Sequence, residues 1–373
     1  MNMATAITLA ISTVFLFSGC NEGRSSAIPT SADVDLAVLG EKLFFDTNLS
    51  EPTGQSCASC HTPQSGFADP DSNFSTSEGI IAGQFGTRNT PTAAYAAFVP
   101  AFVYDVVEGL YTGGQFLDGR ASLLEDQAKG PPLNLVEMHN PTKASYVAKV
   151  AAASYAPLVK KVFGLNVFED PETAYEKIAR AIAAYERTKV FSPFSSKFDL
   201  YIKGKVTLSP QEMEGLTLFE GKGQCVACHP TRPTSDGTPG LFTDFTYDNL
   251  GVPKNRAIPA YAKDENFIDI GLAGNPKVIA DGRTAQNRGK FKVATLRNIA
   301  LTGPYMHNGV FKTLKEVVSF YNTRDTNQSR WETAEVPETV NHTELGNLGL
   351  SDKEEDAIVA FLQTLTDGEE VHP

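Results

Sequence analysis

The pentapeptide Cys57-Ala58-Ser59-Cys60-His61 recurs as Cys225-Val226-Ala227-Cys228-His229, and this pair constrains the chain more than any other feature. Cys-x-x-Cys-His is the attachment sequence of a c-type haem. The two thiols add across the porphyrin vinyl groups, and the histidine that follows directly is placed to ligate the iron from the proximal side. Four of the five cysteines belong to the two copies. A disulfide framework or a zinc site would not require a histidine immediately after each cysteine pair. His61 and His229 are therefore read as proximal ligands of two covalently bound haem c groups.

The surroundings repeat as well. Gly40-Glu41-Lys42-Leu43-Phe44 precedes the first pair and Gly215-Leu216-Thr217-Leu218-Phe219 the second, which looks like two cytochrome c modules in tandem. A length of 373 residues accommodates two domains, placed at residues 32–195 and 206–373. Residues 192–205 read as the linker between them. The formal charge of −12 disfavours nucleic acid or an anionic membrane face as partner. It is compatible with a basic redox protein.

Residues 7–17 form an apolar run too short to span a membrane and resemble a signal-peptide core. The run ends at Phe17-Ser18-Gly19-Cys20. Small residues before a cysteine fit a lipoprotein processing site, with residues 1–20 removed up to a lipid-bearing Cys20. An ordinary cleavable signal with an incidental cysteine is the alternative. Residues 21–31 read as a polar tether. Either reading exports the chain to the periplasm, the outer membrane or the cell surface.

Helix signals run through both halves. Residues 31–45 read as a first helix, residues 121–129 as one stopped by Gly130-Pro131-Pro132, and residues 145–163 as a long one. Residues 171–188 read as a helix with Asp170 as N-cap and Pro171 at the first helical position. Ser209-Pro210-Gln211-Glu212, Thr313-Leu314-Lys315-Glu316 and Ser351-Asp352-Lys353-Glu354 are capping boxes. The helices they start run to the haem motif, to about Tyr321 and to about Leu365. Residues 62–86 and 231–288 are rich in Gly, Pro and polar residues, as in loops that wrap a cofactor. The expected fold is mainly α: two cytochrome c-like haem domains in tandem with long loops.

The chain then resembles a known family, the bacterial di-haem cytochrome c peroxidases with their MauG-type relatives. The resemblance rests on Gly40 to Asp46, on Gly86-Thr87-Arg88-Asn89-Thr90-Pro91-Thr92 and on Phe116-Leu117-Asp118-Gly119-Arg120-Ala121. It continues through Leu124-Glu125-Asp126-Gln127-Ala128-Lys129-Gly130-Pro131, Glu137-Met138, Phe291-Lys292-Val293-Ala294-Thr295-Leu296-Arg297-Asn298 and Leu301-Thr302-Gly303-Pro304-Tyr305-Met306-His307-Asn308-Gly309. It implies a peroxide-reactive N-terminal haem, an electron-passing C-terminal haem and a calcium ion between the domains. Glu137 and Gln127 match the family's distal acid/base and its glutamine, and Pro131 the residue over the open face of the iron. Asn89, by its side chain, and Thr302 and Pro304, by their carbonyls, match the calcium ligands; oxygen donors suit that hard cation. His307 falls in the family's Pro-Tyr-x-His segment, either as a second-haem pocket residue or as a structural histidine. His342 and His372 read as solvated.

Two departures matter. Many members carry a distal histidine where this chain has Ser77, and no histidine occurs between Thr62 and Glu137. The first haem is therefore expected to be five-coordinate, as in the MauG type. Leu117 stands where many members have an inter-haem tryptophan, and the one tryptophan is Trp331. For the second haem two distal ligands are open, Tyr321 and Met306. The spacing from the Pro-Tyr motif places Tyr321 where the MauG type has its ligand tyrosine.

The resemblance implies an exported peroxidase that reduces hydrogen peroxide with electrons from a small redox protein, a cytochrome c or a cupredoxin. A MauG-type enzyme that oxidises Trp or Tyr side chains of a partner protein is the alternative. A non-catalytic electron-transfer cytochrome is a third, which the Gln127/Glu137 pair disfavours. A homodimer is compatible with all three.

Overall fold

The computed structural model describes residues 30–71 and 73–369. The expected signal segment, Cys20, most of the tether and His372 lie outside the described residues. Helix α1 (Ser31–Phe45) starts on Thr30, whose hydroxyl accepts from Asp33 N while the Asp33 carboxylate accepts from Thr30 N. The first half continues through α2 (Cys57–Cys60), α3 (Leu124–Gln127), α4 (Lys143–Ala152), α5 (Ala156–Phe163) and α6 (Pro171–Glu186). The second half holds α7 (Lys197–Ile202), α8 (Pro210–Glu220), α9 (Pro259–Lys263), α10 (Pro276–Ala280), α11 (Leu314–Thr323) and α12 (Asp352–Gln363). Strand β1 (Val103–Asp105) pairs antiparallel with β2 (Leu110–Thr112), Val103 opposite Thr112. Strand β3 (Tyr247–Asp248) pairs antiparallel with β4 (Phe291–Lys292), Tyr247 opposite Lys292. The fold is mainly helical, as expected.

Each half is pinned by one close helix crossing. A methyl added at Gly40 of α1 would lie 1.9 Å from Ala181 O of α6, and one added at Gly215 of α8 would lie 1.9 Å from Ala357 O of α12. Only glycine lets these backbones touch. One turn on, Phe44 meets Tyr185 edge-on at 5.5 Å and Phe219 meets Phe361 at 5.2 Å. Around the first crossing Leu39, Leu43, Ile178 and Ile182 form a buried cluster; around the second Phe242, Leu314, Ile358 and Leu362 do so. Each such side chain contributes about 1.5–3 kcal/mol by leaving water.

Two arginines, Arg297 buried and Arg88 half-buried, tie segments far apart in sequence. Arg297 forks onto Asp199 of α7 at 2.9 and 3.0 Å, and its guanidinium lies over the rings of Tyr95 and Phe194. Arg88 bonds Asp269 through Nε at 2.6 Å and Asp118 through Nη1 at 2.7 Å.

Four local expectations need correction. The helix expected over residues 121–129 is confined to Leu124–Gln127, because Ala121 is drawn into a bridge with Gln115. Residues 145–163 break between α4 and α5 at Ala153-Ser154-Tyr155, where Pro157 restarts the helix at its second position. The stretch 192–205 is no simple linker: Ser196 caps α7, Phe198 joins the second cluster and Asp199 binds Arg297. Residues 231–288 are mostly irregular, yet they contain β3, α9 and α10.

Candidate active site

The two motifs sit in nearly the same local geometry. Cys57 and Cys60 open and close α2, and His61 follows with its backbone N–H bonded to Cys57 O at 3.0 Å. Cys225 begins a single 3-10 turn, and His229 N bonds Cys225 O at 2.9 Å. This one turn puts both thiols and the imidazole on one side of the chain.

Each imidazole is then oriented by a carbonyl. His61 Nδ1 donates to Phe67 O at 2.9 Å, and His229 Nδ1 donates to Phe242 O at 2.7 Å. Phe67 and Phe242 both take the left-handed conformation, with φ of 60° and 53°. That conformation turns the carbonyls inward. Phe67 is held there by stacking on Phe191 at 4.1 Å, and Phe242 by an edge contact with Phe198 at 5.4 Å. Burial holds both histidines below the usual imidazole pKa, against the pull of the carbonyls. A neutral imidazole that donates through Nδ1 presents the lone pair of Nε2, the form that binds iron. Two thiols beside such an imidazole fit a c-type haem in each half.

On the first site the structure places Glu137 near both cysteines. Burial pushes the Cys57 and Cys60 thiols up to about 12; the charges of Glu186 on Cys57 and of Asp69 on Cys60 add to the rise, and Glu137 adds a smaller push on both. Burial also raises Glu137 above the usual carboxyl range; Asn134, donating from Nδ2 to Glu137 Oε1 at 2.8 Å, and the charge of Arg120 oppose the shift. Gln127 ends α3 and is half-buried, and Pro131 begins the 3-10 turn that connects α3 to Asn134. Ser77 Oγ is engaged by Asp69 and by Thr90. Sequence reasoning gave Asn134 no role and missed Phe67 and Phe242. For Asn134 the signal was its spacing to Glu137 within one turn; for the two phenylalanines no sequence signal marked the conformation.

On the second site a cavity of about 320 Å³ is lined by Cys225, Cys228 and His229 together with Tyr321 and Met306. Tyr321 Oη points at Met306 Sδ, 4.0 Å away. Burial pushes the Tyr321 phenol well up, so it holds its proton at neutral pH in the protein alone. The cavity continues to Leu117, Phe116, Phe291 and His307, between the two halves. His307 stacks on Phe291 with ring centroids 3.7 Å apart, its Nε2 has no hydrogen-bond partner, and burial lowers it to about 4. Lys292, which also lines the cavity, donates to Gly114 O at 2.6 Å and is lowered by burial to about 8. His342 is apart from both sites, exposed and bonded to Asp325 at 2.9 Å.

Asn89, Thr302 and Pro304 come together along one small pocket with Ser75 and Gly303. Asn89 Nδ2 donates to Ser75 O at 3.3 Å, which leaves the amide oxygen as the acceptor. No group of three or more His, Cys, Asp or Glu among the described residues is arranged to hold a metal. The pocket offers amide and carbonyl oxygens from these residues, and Asp69 and Asp71 also line it.

The chain is similar to known proteins in sequence and in fold. A family model described as di-haem cytochrome c peroxidase matches residues 35–207. The methylamine utilization protein MauG of Paracoccus denitrificans is 41% identical over 352 residues, covering 90% of this chain and 89% of its own. The cytochrome c551 peroxidase of Nitrosomonas europaea is 33% identical, covering 96% of this chain and 90% of its own. The crystal structure of the diheme peroxidase BthA from Burkholderia thailandensis superposes with a TM-score of 0.83 at 36% identity, covering 89% of this chain and 86% of that one.

Proposed function

The chain belongs to the di-haem cytochrome c peroxidase family, an oxidoreductase family with two c-type haems, and from that premise we propose that it cleaves hydrogen peroxide at a haem held by Cys57, Cys60 and His61. Cys225, Cys228 and His229 would hold a second haem, which would supply the relay for electrons from a small redox protein. The observation that carries the reading is the pair of similarly oriented imidazoles, of which the first has the half-buried carboxyl of Glu137 acting on both of its cysteines.

Haem iron, when bound, supplies the redox chemistry that breaks the oxygen–oxygen bond. The protein moves the proton. Glu137 takes it from the peroxide oxygen nearer the iron and returns it to the leaving oxygen, which departs as water. Asn134 occupies Glu137 Oε1, so Oε2 is the working atom. The Gln127 amide steadies the peroxide, and Pro131 closes the face against a competing ligand. The raised pKa of Glu137 brings its proton affinity closer to neutrality, where accepting and returning a proton are both accessible.

Asn89, Thr302 and Pro304 are assigned one calcium ion at the seam between the halves, on the strength of their shared pocket and oxygen donors. The N-terminal sequence supports export by a signal peptide and a lipid anchor on Cys20. No helix among the described residues is long and apolar enough to cross a membrane.

A second reading has its own support. Tyr321 shares the second cavity with His229, and no histidine stands between Thr62 and Glu137. Both features belong to the MauG type, which uses peroxide to oxidise a partner protein. Steady-state peroxide consumption with reduced cytochrome c or a reduced cupredoxin separates the two. Rapid turnover with either donor supports the peroxidase, whereas peroxide consumption that proceeds only with a protein whose Trp or Tyr side chains are oxidised supports the MauG type. No consumption with any of them sinks both.

A further inference from the structure

Glu186 is the last residue of α6 and is only 6% exposed. It follows Ile182 by one helical turn, on the face that packs toward Cys57. Its Oε2 has no hydrogen-bond partner. An ionised carboxylate is rarely left in that state inside a protein; it is paired or it is neutral. Arg187, whose charge acts on Glu186, is already engaged, because it forks onto Glu125 at 2.6 and 2.9 Å.

The groups facing this end of α6 are few. Cys57 comes from α2, where Glu186 is the largest electrostatic influence on the thiol. Glu125 comes from α3, and Tyr146 from α4, beside Cys57. Glu41 of α1 lies by Tyr185, and Arg187 follows the helix. Burial pushes Glu186 up to about 8, with Arg187 opposing and Glu125 adding to the rise. At neutral pH it is mostly an uncharged acid set against the thioether edge of the first site. The peroxide chemistry assigned to Glu137 makes no use of it.

We propose that Glu186 is a redox-linked proton site of the first haem: it releases its proton to solvent when one electron leaves that centre and regains one when the electron returns. The inference rests on Cys57, Cys60 and His61 holding a haem. The balance is simple. The O–H bond of the carboxyl breaks with its electron pair left on oxygen, so the positive charge gained at the centre is matched by a negative one on Glu186. A positive charge appearing beside a buried acid favours the ionised form, typically by about tenfold or more at interior dielectric. The site then stays close to electroneutral as it cycles.

The test is a redox titration of the holoprotein across pH, followed at the absorbance bands of the first haem. The reduced state binds more protons, so the wild-type midpoint should fall as pH rises toward about 8 and level off above it. Glu186→Gln should remove that fall, and Glu186→Asp should keep it. A Gln variant that carries both haems yet retains the wild-type dependence overturns the proposal and moves the proton to another acid, such as Glu137. Where the Gln variant fails to mature, wild-type protein still decides. Its oxidised-minus-reduced infrared spectrum should lose a protonated-carboxyl C=O band that shifts in deuterium oxide, and absence of such a band overturns the proposal as well. A mature chain with no haem mass on the peptide bearing Cys57 and Cys60 would instead remove the premise itself, and mass spectrometry reports that outcome separately.

Discussion

The halves of the molecule agree around the motif histidines and part in the side chains gathered beside them. In both, a glycine of an early helix presses on a late helix, an aromatic pair packs one turn on, and a left-handed phenylalanine gives its carbonyl to the histidine. In both, a threonine-capped helix, α4 or α11, packs against the late one. Beyond that the first half supplies Glu137, Asn134 and Gln127, whereas the second supplies Tyr321 and Met306. The difference teaches that the scaffold fixes the imidazole while the chemistry is written on residues the scaffold leaves free. A carboxyl beside an open iron moves protons; a phenol or thioether facing an iron tunes electrons.

The largest expected effect lies on the proton side of this comparison. Glu137→Gln should slow peroxide cleavage by about 10²–10⁴-fold with both haems attached, as for loss of a positioned acid/base. Stopped-flow kinetics checks it, and an unchanged rate would reduce Glu137 to a structural residue and blur the division between the halves.

Next comes the tie between Arg297 and Asp199. Asp199→Ala should cost about 3–5 kcal/mol, since it strands a buried guanidinium. Burial alone would raise Asp199, but the Arg297 fork and the Ser196 hydroxyl hold it below the usual carboxyl value. Its stabilisation is therefore present above the ordinary carboxyl pKa and lost as pH falls through the lowered folded value. Denaturant melts of wild type and variant should converge in acid.

A smaller and paired effect tests the repeat itself. Gly40→Ala and Gly215→Ala should each cost about 1–3 kcal/mol, by forcing a methyl onto a facing carbonyl. Thermal melts that show one costly and one silent would break the equivalence of the two crossings.

The least energetic prediction is spectroscopic. Tyr321→Phe should alter the absorption and magnetic resonance spectra of the second haem, and Met306→Leu should leave them alone. The reverse pattern would return the second half to the ordinary peroxidases.

Much of this was legible from local signals. The motifs, the box at Ser209, the cap at Asp170 and the boxes at Thr313 and Ser351 stand where the sequence puts them, because a cap needs only its own first turn. What was not legible depends on distant partners. The helix at 121–129 is short because Gln115 reaches Ala121, and α7 exists inside an apparent linker because Arg297, far along the chain, awaits Asp199. Glu186 had a signal that went unused: it extends the apolar face of Ile178 and Ile182 by one turn. The carbonyls of Phe67 and Phe242 had none, because nothing in a phenylalanine announces a left-handed backbone.

The glycine crossings also set an order of assembly. In each half the early helix precedes the haem motif and its partner comes at the end of that half, α6 for α1 and α12 for α8. Joining them closes a loop that contains the whole motif, and such closures form late because their entropy must be met before any contact rewards it. A chain made from its N-terminus therefore has Cys57, Cys60 and His61 in place before α6 exists to close over them. The glycine contact thus closes the first loop around its motif, and Gly215 against Ala357 closes the second around the other.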